Sequence, residues 1–387
     1  MPKVNPKILE WARTTTGLTV EEASAKLALK PERLAALELG EREPSRRQLV
    51  NMAEKYRRPL LAFYLPDPPR TGERGQDFRT LPEGRAGGAE ALLDALLRNV
   101  RTRQALVRAA LEEAEEADPA PFVGSAQMAA GVDALVAQMR ETLKVKLEDF
   151  RKQKTLGDAF ALLRSAAERA GVFVLLMGNL GTYHTDLPPR VFRGFAIADN
   201  IAPFVVINET DARAAWSFTL LHELAHIWLG QTGVSGYEGE AAVEKFCDAV
   251  AARFLLSADE VGAFKISNGM SFNDLRGALE DFAIERNVSR KMVAYNFLQA
   301  GKINLQMYRR LSDAFDAART AMEKAQPKGD SSGPDYYVVR RHRVGAALLD
   351  FASRMLASGV LNTTKASKVL GVKPTSVDQL ISAKRAA

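Results

Sequence analysis

Hydrophobic and polar positions recur along this chain with two different periods, and the change of period marks its parts. From about residue 5 to 64, apolar positions return at helical spacing in short blocks. Residues 6–16 make the first block. Thr19 followed by Glu22 has capping-box spacing and starts a second. Pro31 opens a third, which Gly40 closes, and Ser45 caps a fourth that runs to about Tyr56. The pattern predicts four or five short helices in a bundle. Residues 66–88, PDPPRTGERGQDFRTLPEGRAGG, are rich in Pro, Gly and Arg and read as a linker.

From about 89 to 116, Leu92, Leu93, Leu96, Leu97, Val100, Leu106 and Leu111 predict a long helix, with more helix over 127–143 and 156–170. The period then shortens. GVFVLLMG (171–178), RGFAIAD (193–199) and APFVVINET (202–210) are β-branched or aromatic runs bounded by Gly, Asp, Asn and Pro, which is strand chemistry. Helices follow over about 211–230 and 239–256. Beyond Ser257 the pattern is helical to the end, interrupted by GDSSGP at 329–334. No internal repeat of fixed period is visible. The expected parts are a helical bundle over 1–65, a linker and helical connector over 66–150, a domain with a short β-sheet over 151–328, and a helical C-terminal region over 335–387. The fold class is mainly α with a small α+β domain.

Composition adds little to this picture. The chain has 387 residues, 47% hydrophobic and 26% charged, enough for two or three cores. Its 53 basic and 47 acidic residues give a net charge of +6, a mild bias towards an acidic partner such as nucleic acid. The single cysteine, Cys247, excludes an intramolecular disulfide and suits a reducing compartment. The N-terminal residues enter a helical pattern without an apolar leader, and the most weakly charged stretch, 214–230, carries His-Glu-His in its middle. The expectation is a cytoplasmic protein with no membrane segment.

That stretch holds the candidate chemistry. In TLLHELAHIWLG (219–230), His222 and His226 are four residues apart and share one helix face, so both can aim a ring nitrogen at one ion. Glu223 lies about 100° round the helix and can reach a water instead. It is the only formally charged residue in 214–230. Burying a carboxylate and two imidazoles unpaired costs roughly 2–7 kcal/mol per group, and a metal removes that cost. Catalytic zinc usually takes three protein ligands. The only other histidines are His184 and His342. Glu244, on the next predicted helix, is the expected third ligand, with Glu240 as its rival. Asp248, one turn beyond Glu244, is placed to orient an imidazole, and Cys247 is expected to be packing. Residues 204–208 read either as an edge strand for an extended peptide or as a core strand. Tyr183 or His184, in GTYHTDLPP, is a candidate oxyanion stabiliser.

Near the N-terminus, GLTVEEASAKLALKPERLAALELGEREPSRRQL has helix-turn-helix spacing, with the turn around Ala28 and Leu29. Lys30 and Arg33 are its candidate groove residues, and Arg42, Arg46 and Arg47 its candidate phosphate contacts. Dimerisation or partner docking is the alternative use of such a module.

With these residues in place, the chain resembles the ImmA/IrrE family of bacterial metallopeptidases fused to an Xre-type helix-turn-helix domain. The resemblance rests on LELGEREPS, RRPLLAFYLPDPP, DFRTLP, RGFAIADNIAPFVVINETD, FTLLHELAHIWL, EKFCDAVAARFLLS and the late KASKVLGVK. It implies a zincin-like domain in which His222, His226 and Glu244 hold zinc, Glu223 is the general base, and Asp248 sits one turn after the third ligand. Manganese is the substitute such a site accepts. It further implies a regulatory peptidase that cuts a specific protein, such as a helix-turn-helix repressor, in stress response, mobile-element control or a toxin–antitoxin-like system. DNA is a second partner through the N-terminal domain, and a homodimer is an option. The alternative is a DNA-binding regulator or antitoxin whose metal domain senses with little turnover. Ser257 stands where the family often has proline. The basic RRHR at 340–343 is expected to be a solvated helix face.

Overall fold

The capping residues read from the sequence start the N-terminal helices of the structure, a computed structural model that describes residues 4–69, 88–181, 185–234, 241–267, 269–325 and 335–382. Asn5 accepts from Lys7 N and begins α1 (Pro6–Thr14). Thr19 and Glu22 close a capping box at the start of α2 (Val20–Leu27), and Ser45 and Gln48 do the same for α4 (Arg46–Lys55). Between them lies α3 (Pro31–Glu38). The four helices and a short turn at Leu60–Tyr64 bury one apolar cluster, with Ile8, Leu34, Leu37, Met52, Tyr56 and Phe63 fully enclosed. Arg13 on α1 donates twice to the Glu38 carboxylate on α3, at 2.8 and 2.9 Å. Arg58 stacks 4.4 Å over the Trp11 ring.

The chain divides into two units, 1–100 with 179–187, and 101–178 with 188–387; the division falls within α5 (Gly88–Glu113). In the second unit, α6 (Val132–Leu143) starts later than the pattern predicts, because Gly131 at φ +88° separates it from a 3₁₀ turn at Met128–Ala130. Then come α7 (Leu147–Arg151) and α8 (Leu156–Arg169). The three predicted strands follow as β1 (Phe173–Leu176), β2 (Gly194–Ile197) and β3 (Phe204–Ile207), every residue buried. After them come α9 (Arg213–Trp228), the two-residue β4 (Gly233–Val234) and α10 (Ala241–Leu255).

The sheet order is β1-β3-β2-β4. β3 runs parallel to β1 and antiparallel to β2, which pairs with β4 through Phe195 and Ala196. Residues 204–208 therefore form the core strand of the two readings: β3 is hydrogen-bonded on both sides and has no free edge for a peptide. The edges are β1 and β4. One side of the sheet receives α9, which also packs on α8 and α10 and is buried on every side from Thr219 to Trp228.

Helices complete the unit: α11 (Ala258–Ala263), α12 (Phe272–Ile284), α13 (Arg290–Gln299) and α14 (Leu305–Ala325). Ser257 caps α11 in a closed box with Glu260, which gives this serine a local role. The C-terminal region forms α15 (Tyr336–Val344), α16 (Ala346–Ala357), α17 (Thr363–Leu370) and α18 (Val377–Ser382). Among the described residues no helix is long and apolar enough to cross a membrane.

A buried ion pair fastens this region to the sheet. Arg164 on α8 pairs with Glu168 at 3.2 Å and donates to the carbonyls of Val174 on β1 and His342 on α15. Glu168 in turn accepts from the backbone of Ala346 and Ala347, the first turn of α16. A Cβ at Gly345 would fall within 2.5 Å of both charged side chains, so only glycine fits between them. Burial lowers the Arg164 pKa and raises that of Glu168, so desolvation outweighs their mutual attraction. Such a pair fixes position at a cost in stability, and breaking it strands a charge. Arg164→Ala is expected to lose about 3–5 kcal/mol in urea unfolding, and the double replacement Arg164→Met with Glu168→Leu distinctly less. Equal losses in the two would show that the pair itself stabilises.

Candidate metal centre

α9 has no solvent-facing side over its last ten residues, yet it carries His222, Glu223 and His226, which are 4%, 0% and 6% exposed. The sequence puts them there because every neighbour from Leu220 to Trp228 is apolar or small and the helix is pulled into the core whole. The polar groups must find partners inside the protein, and α10 brings them. The Glu244 carboxylate lies 3.3 Å from His222 Nε2 and 3.3 Å from His226 Nε2, while the two Nε2 atoms are 3.1 Å apart. Asp248, one turn further along α10, stands 2.9 Å from His222 Nδ1.

These separations test whether an ion fits. Glu244 meets the two rings through different oxygens, Oε2 towards His222 and Oε1 towards His226, and with one donor atom from each residue the three lie within 4.8 Å of one another, a spread that one ion can draw together. The donor set, two imidazole nitrogens and one carboxylate oxygen, suits zinc, and manganese as a substitute. Asp248 Oδ1 stands beside His222 Nδ1, on the opposite side of the ring from the Nε2 that faces the other two donors, where a carboxylate can orient the imidazole. The structure thus gathers His222, His226, Glu244 and Asp248. Glu240, the rival carboxylate, and the loop residues Tyr183 and His184 lie outside the described residues.

Electrostatics agree with a cation in this place. Burial alone would lower the His222 pKa, but the carboxylates of Asp248 and Glu244 and the charge of Glu223 outweigh it and push it from 6.5 up to about 10. Burial would likewise raise the Glu244 pKa, yet hydrogen bonds from His222 and His226 pull it from 4.5 down to about 2. Cys247 is fully buried on α10, and burial together with the charges of Glu244, Glu223 and Asp248 raises its pKa, so it stays a packed thiol.

Two residues that the sequence reading passed over shape the site. Gly194 opens β2 against α9: a Cβ there would lie 2.8 Å from Glu223 Oε1, 3.0 Å from its Cγ and 2.7 Å from Thr219 Cγ2. The missing side chain is the space that Glu223 occupies. A glycine inside a strand pattern is the available signal for such an approach. Asn208, fully buried after β3, donates to Phe192 O and accepts from the backbone and hydroxyl of Thr210. It sets the turn that leads into α9. The N-terminal candidates Lys30, Arg42, Arg46 and Arg47 are exposed and Arg33 is half-buried, all in the first unit.

The signs of the shifts give one expectation. In the metal-free protein, the raised pKa of His222 adds stability that is complete below pH 6.5 and lost as pH rises through about 10. The lowered pKa of Glu244 adds stability complete above pH 4.5 and lost as pH falls to about 2. The cluster therefore stabilises the metal-free fold most between pH 4.5 and 6.5, and zinc must displace the His222 proton. Calorimetric zinc titration at pH 7 in two buffers of different ionisation enthalpy should show about one proton released per ion; none released would contradict the His222 assignment. Gly194→Ala should cost about 1–3 kcal/mol through overpacking, with part of the loss recovered by adding Thr219→Ser. An unaffected urea midpoint would show that β2 gives way freely.

Residues 167–297, which contain the sheet, α9 and α10, match the Peptidase_M78 family model, described as the IrrE N-terminal-like domain. No curated protein and no solved structure matches the chain. In the segment that carries its metal-ligand geometry, the protein is similar to a metallopeptidase family of the ImmA/IrrE kind.

Proposed function

We propose that this protein is an HExxH metallopeptidase, with zinc as its ion and manganese as a substitute, that hydrolyses a peptide bond in one specific regulatory protein such as a helix-turn-helix repressor. His222, His226 and Glu244 are the ligands in this reading. Bound there, an ion would supply Lewis-acid chemistry, polarising the scissile carbonyl and lowering the pKa of a water so that it can lose a proton near neutral pH. Glu223 accepts that proton on its carboxylate and returns it to the departing amine, so it ends each cycle unprotonated. Asp248 keeps the His222 ring in the tautomer that presents Nε2. Enclosure of Glu223 between Gly194, Thr219 and the body of α9 keeps bulk water from solvating its charge.

The substrate lies along β4. That edge follows α9 directly, and an extended peptide can add to it by main-chain hydrogen bonds. The N-terminal module supplies the address: Lys30, Arg33, Arg42, Arg46 and Arg47 offer cations to a negatively charged partner, whether protein or DNA.

Glu223 is the observation that carries the reading. It is a fully buried carboxylate on the ligand-bearing helix, outside the ligand trio, and a domain that only sensed metal would have no use for it. The test is incubation of the purified protein and zinc with a panel of helix-turn-helix repressors. Wild type should make one defined cut. Glu223→Gln should keep stoichiometric metal and lose about 10²–10⁴-fold in rate, whereas His222→Ala should lose the metal as well. Cutting by Glu223→Gln at the wild-type rate would sink the mechanism. A metal-loaded wild type that leaves every repressor whole would favour the sensor reading.

A further inference from the structure

Part of the C-terminal region repeats the N-terminal helix-turn-helix pattern position for position, with six identical residues in nineteen. Residues 19–37, TVEEASAKLALKPERLAAL, and 362–380, NTTKASKVLGVKPTSVDQL, align without a gap at an offset of 343. Thr19 and Asn362 each cap an eight-residue helix by accepting from the backbone N–H three residues on. Both helices end at a left-handed residue, Ala28 at φ +54° and Gly371 at φ +67°. The turns are closed by the same bonds: Leu29 N to Ser24 O at 2.9 Å, and Val372 N to Ser367 O at 3.0 Å. A Lys-Pro pair then leads into the second helical segment of each, Lys30-Pro31 and Lys373-Pro374. Buried positions coincide as well: Ala23 with Ala366, Ser24 with Ser367, Leu27 with Leu370, Leu34 with Val377, Leu37 with Leu380. Shared caps, turn bonds and interior make these the same local fold.

Their outward faces differ. At the positions that a helix-turn-helix turns towards a duplex, the N-terminal copy carries Lys30, Glu32 and Arg33 early in its second helix, then Ala35, Ala36 and Leu39, the last 72% exposed. The C-terminal copy carries Thr375, Asp378, Gln379 and Ser382, all exposed. Base edges are read by short polar side chains and amides, Gln on adenine and Ser or Thr on several bases, while alanine and leucine read little. Lys365, Lys368 and Lys373 are exposed on the same motif, with no carboxylate in ion-pair range among the described residues. Charge points the same way. Residues 335–387 hold nine basic and three acidic residues, an excess equal to the +6 of the whole chain.

We propose that residues 362–382 are a second helix-turn-helix and bind duplex DNA. Lys365, Lys368 and Lys373 contact phosphates, and Thr375, Gln379 and Ser382 face base edges in the major groove. The Arg164–Glu168 clamp holds the preceding α15–α16 junction against β1, so the motif is carried on the peptidase unit itself.

The test uses the full chain and a labelled mixed-sequence duplex of about 20 base pairs, two helical turns, followed by fluorescence anisotropy across a salt series. Replacing Lys365, Lys368 and Lys373 together by Gln should lower the slope of log K against log[salt] by about 2.7 and weaken binding about 10²-fold near ~0.1 M salt. Replacing the same three by Arg should keep the wild-type slope. All three side chains are exposed, so circular dichroism should be unchanged. Unchanged affinity and slope in the Gln variant would overturn the proposal, and so would absence of duplex binding by wild type.

Discussion

A carboxylate and two imidazoles on a helix with no exposed side form the constraint around which the peptidase-like unit is built. Left unpaired, each would cost several kcal/mol, of the order of 2–7, a large part of any domain's net stability. The unit answers with geometry. α10 lies across α9 so that Glu244 meets both imidazole Nε2 atoms and Asp248 meets His222 Nδ1. β2 opens on a glycine, so Glu223 has room beside the sheet. β3 sits in the middle of the sheet and hands the chain through the Asn208 turn into α9. Remove the buried charges and none of these details has a reason.

The same constraint separates what the sequence shows from what it hides. Caps at Thr19 and Ser45 are legible because each is decided within four residues. The i, i+4 histidines are legible for the same reason, and Glu244 and Asp248 share the next helix with a spacing of one turn. β4 is not legible: two residues have no periodicity, and the strand exists only through pairing with Phe195 and Ala196. The position of 204–208 in the middle of the sheet depends on strand order, which a run of buried β-branched residues does not encode. Gly194 and Arg164 act across long sequence separations. Their roles appear only when α9 and the C-terminal helices are seen against the sheet.

A repeat of fixed period is absent, yet a pair of matching motifs stands 343 residues apart. Their likeness lies in caps, turn and buried positions, where physical requirements are strict. Their outward residues diverge. The N-terminal face sets alanine and leucine beside Lys30, Glu32 and Arg33. The polar face at the C-terminal end, within the most basic part of the chain, suits a nucleic acid.

The central claim is that two imidazoles from α9 and one carboxylate from α10 hold a single ion. X-ray absorption at the zinc edge of the purified protein measures this directly. Two imidazole nitrogens and a carboxylate oxygen at about 2.0–2.1 Å, with no sulfur shell, is the result expected. A sulfur scatterer at about 2.3 Å would place Cys247 in the site, and a protein purified in zinc with no bound ion would contradict the centre altogether.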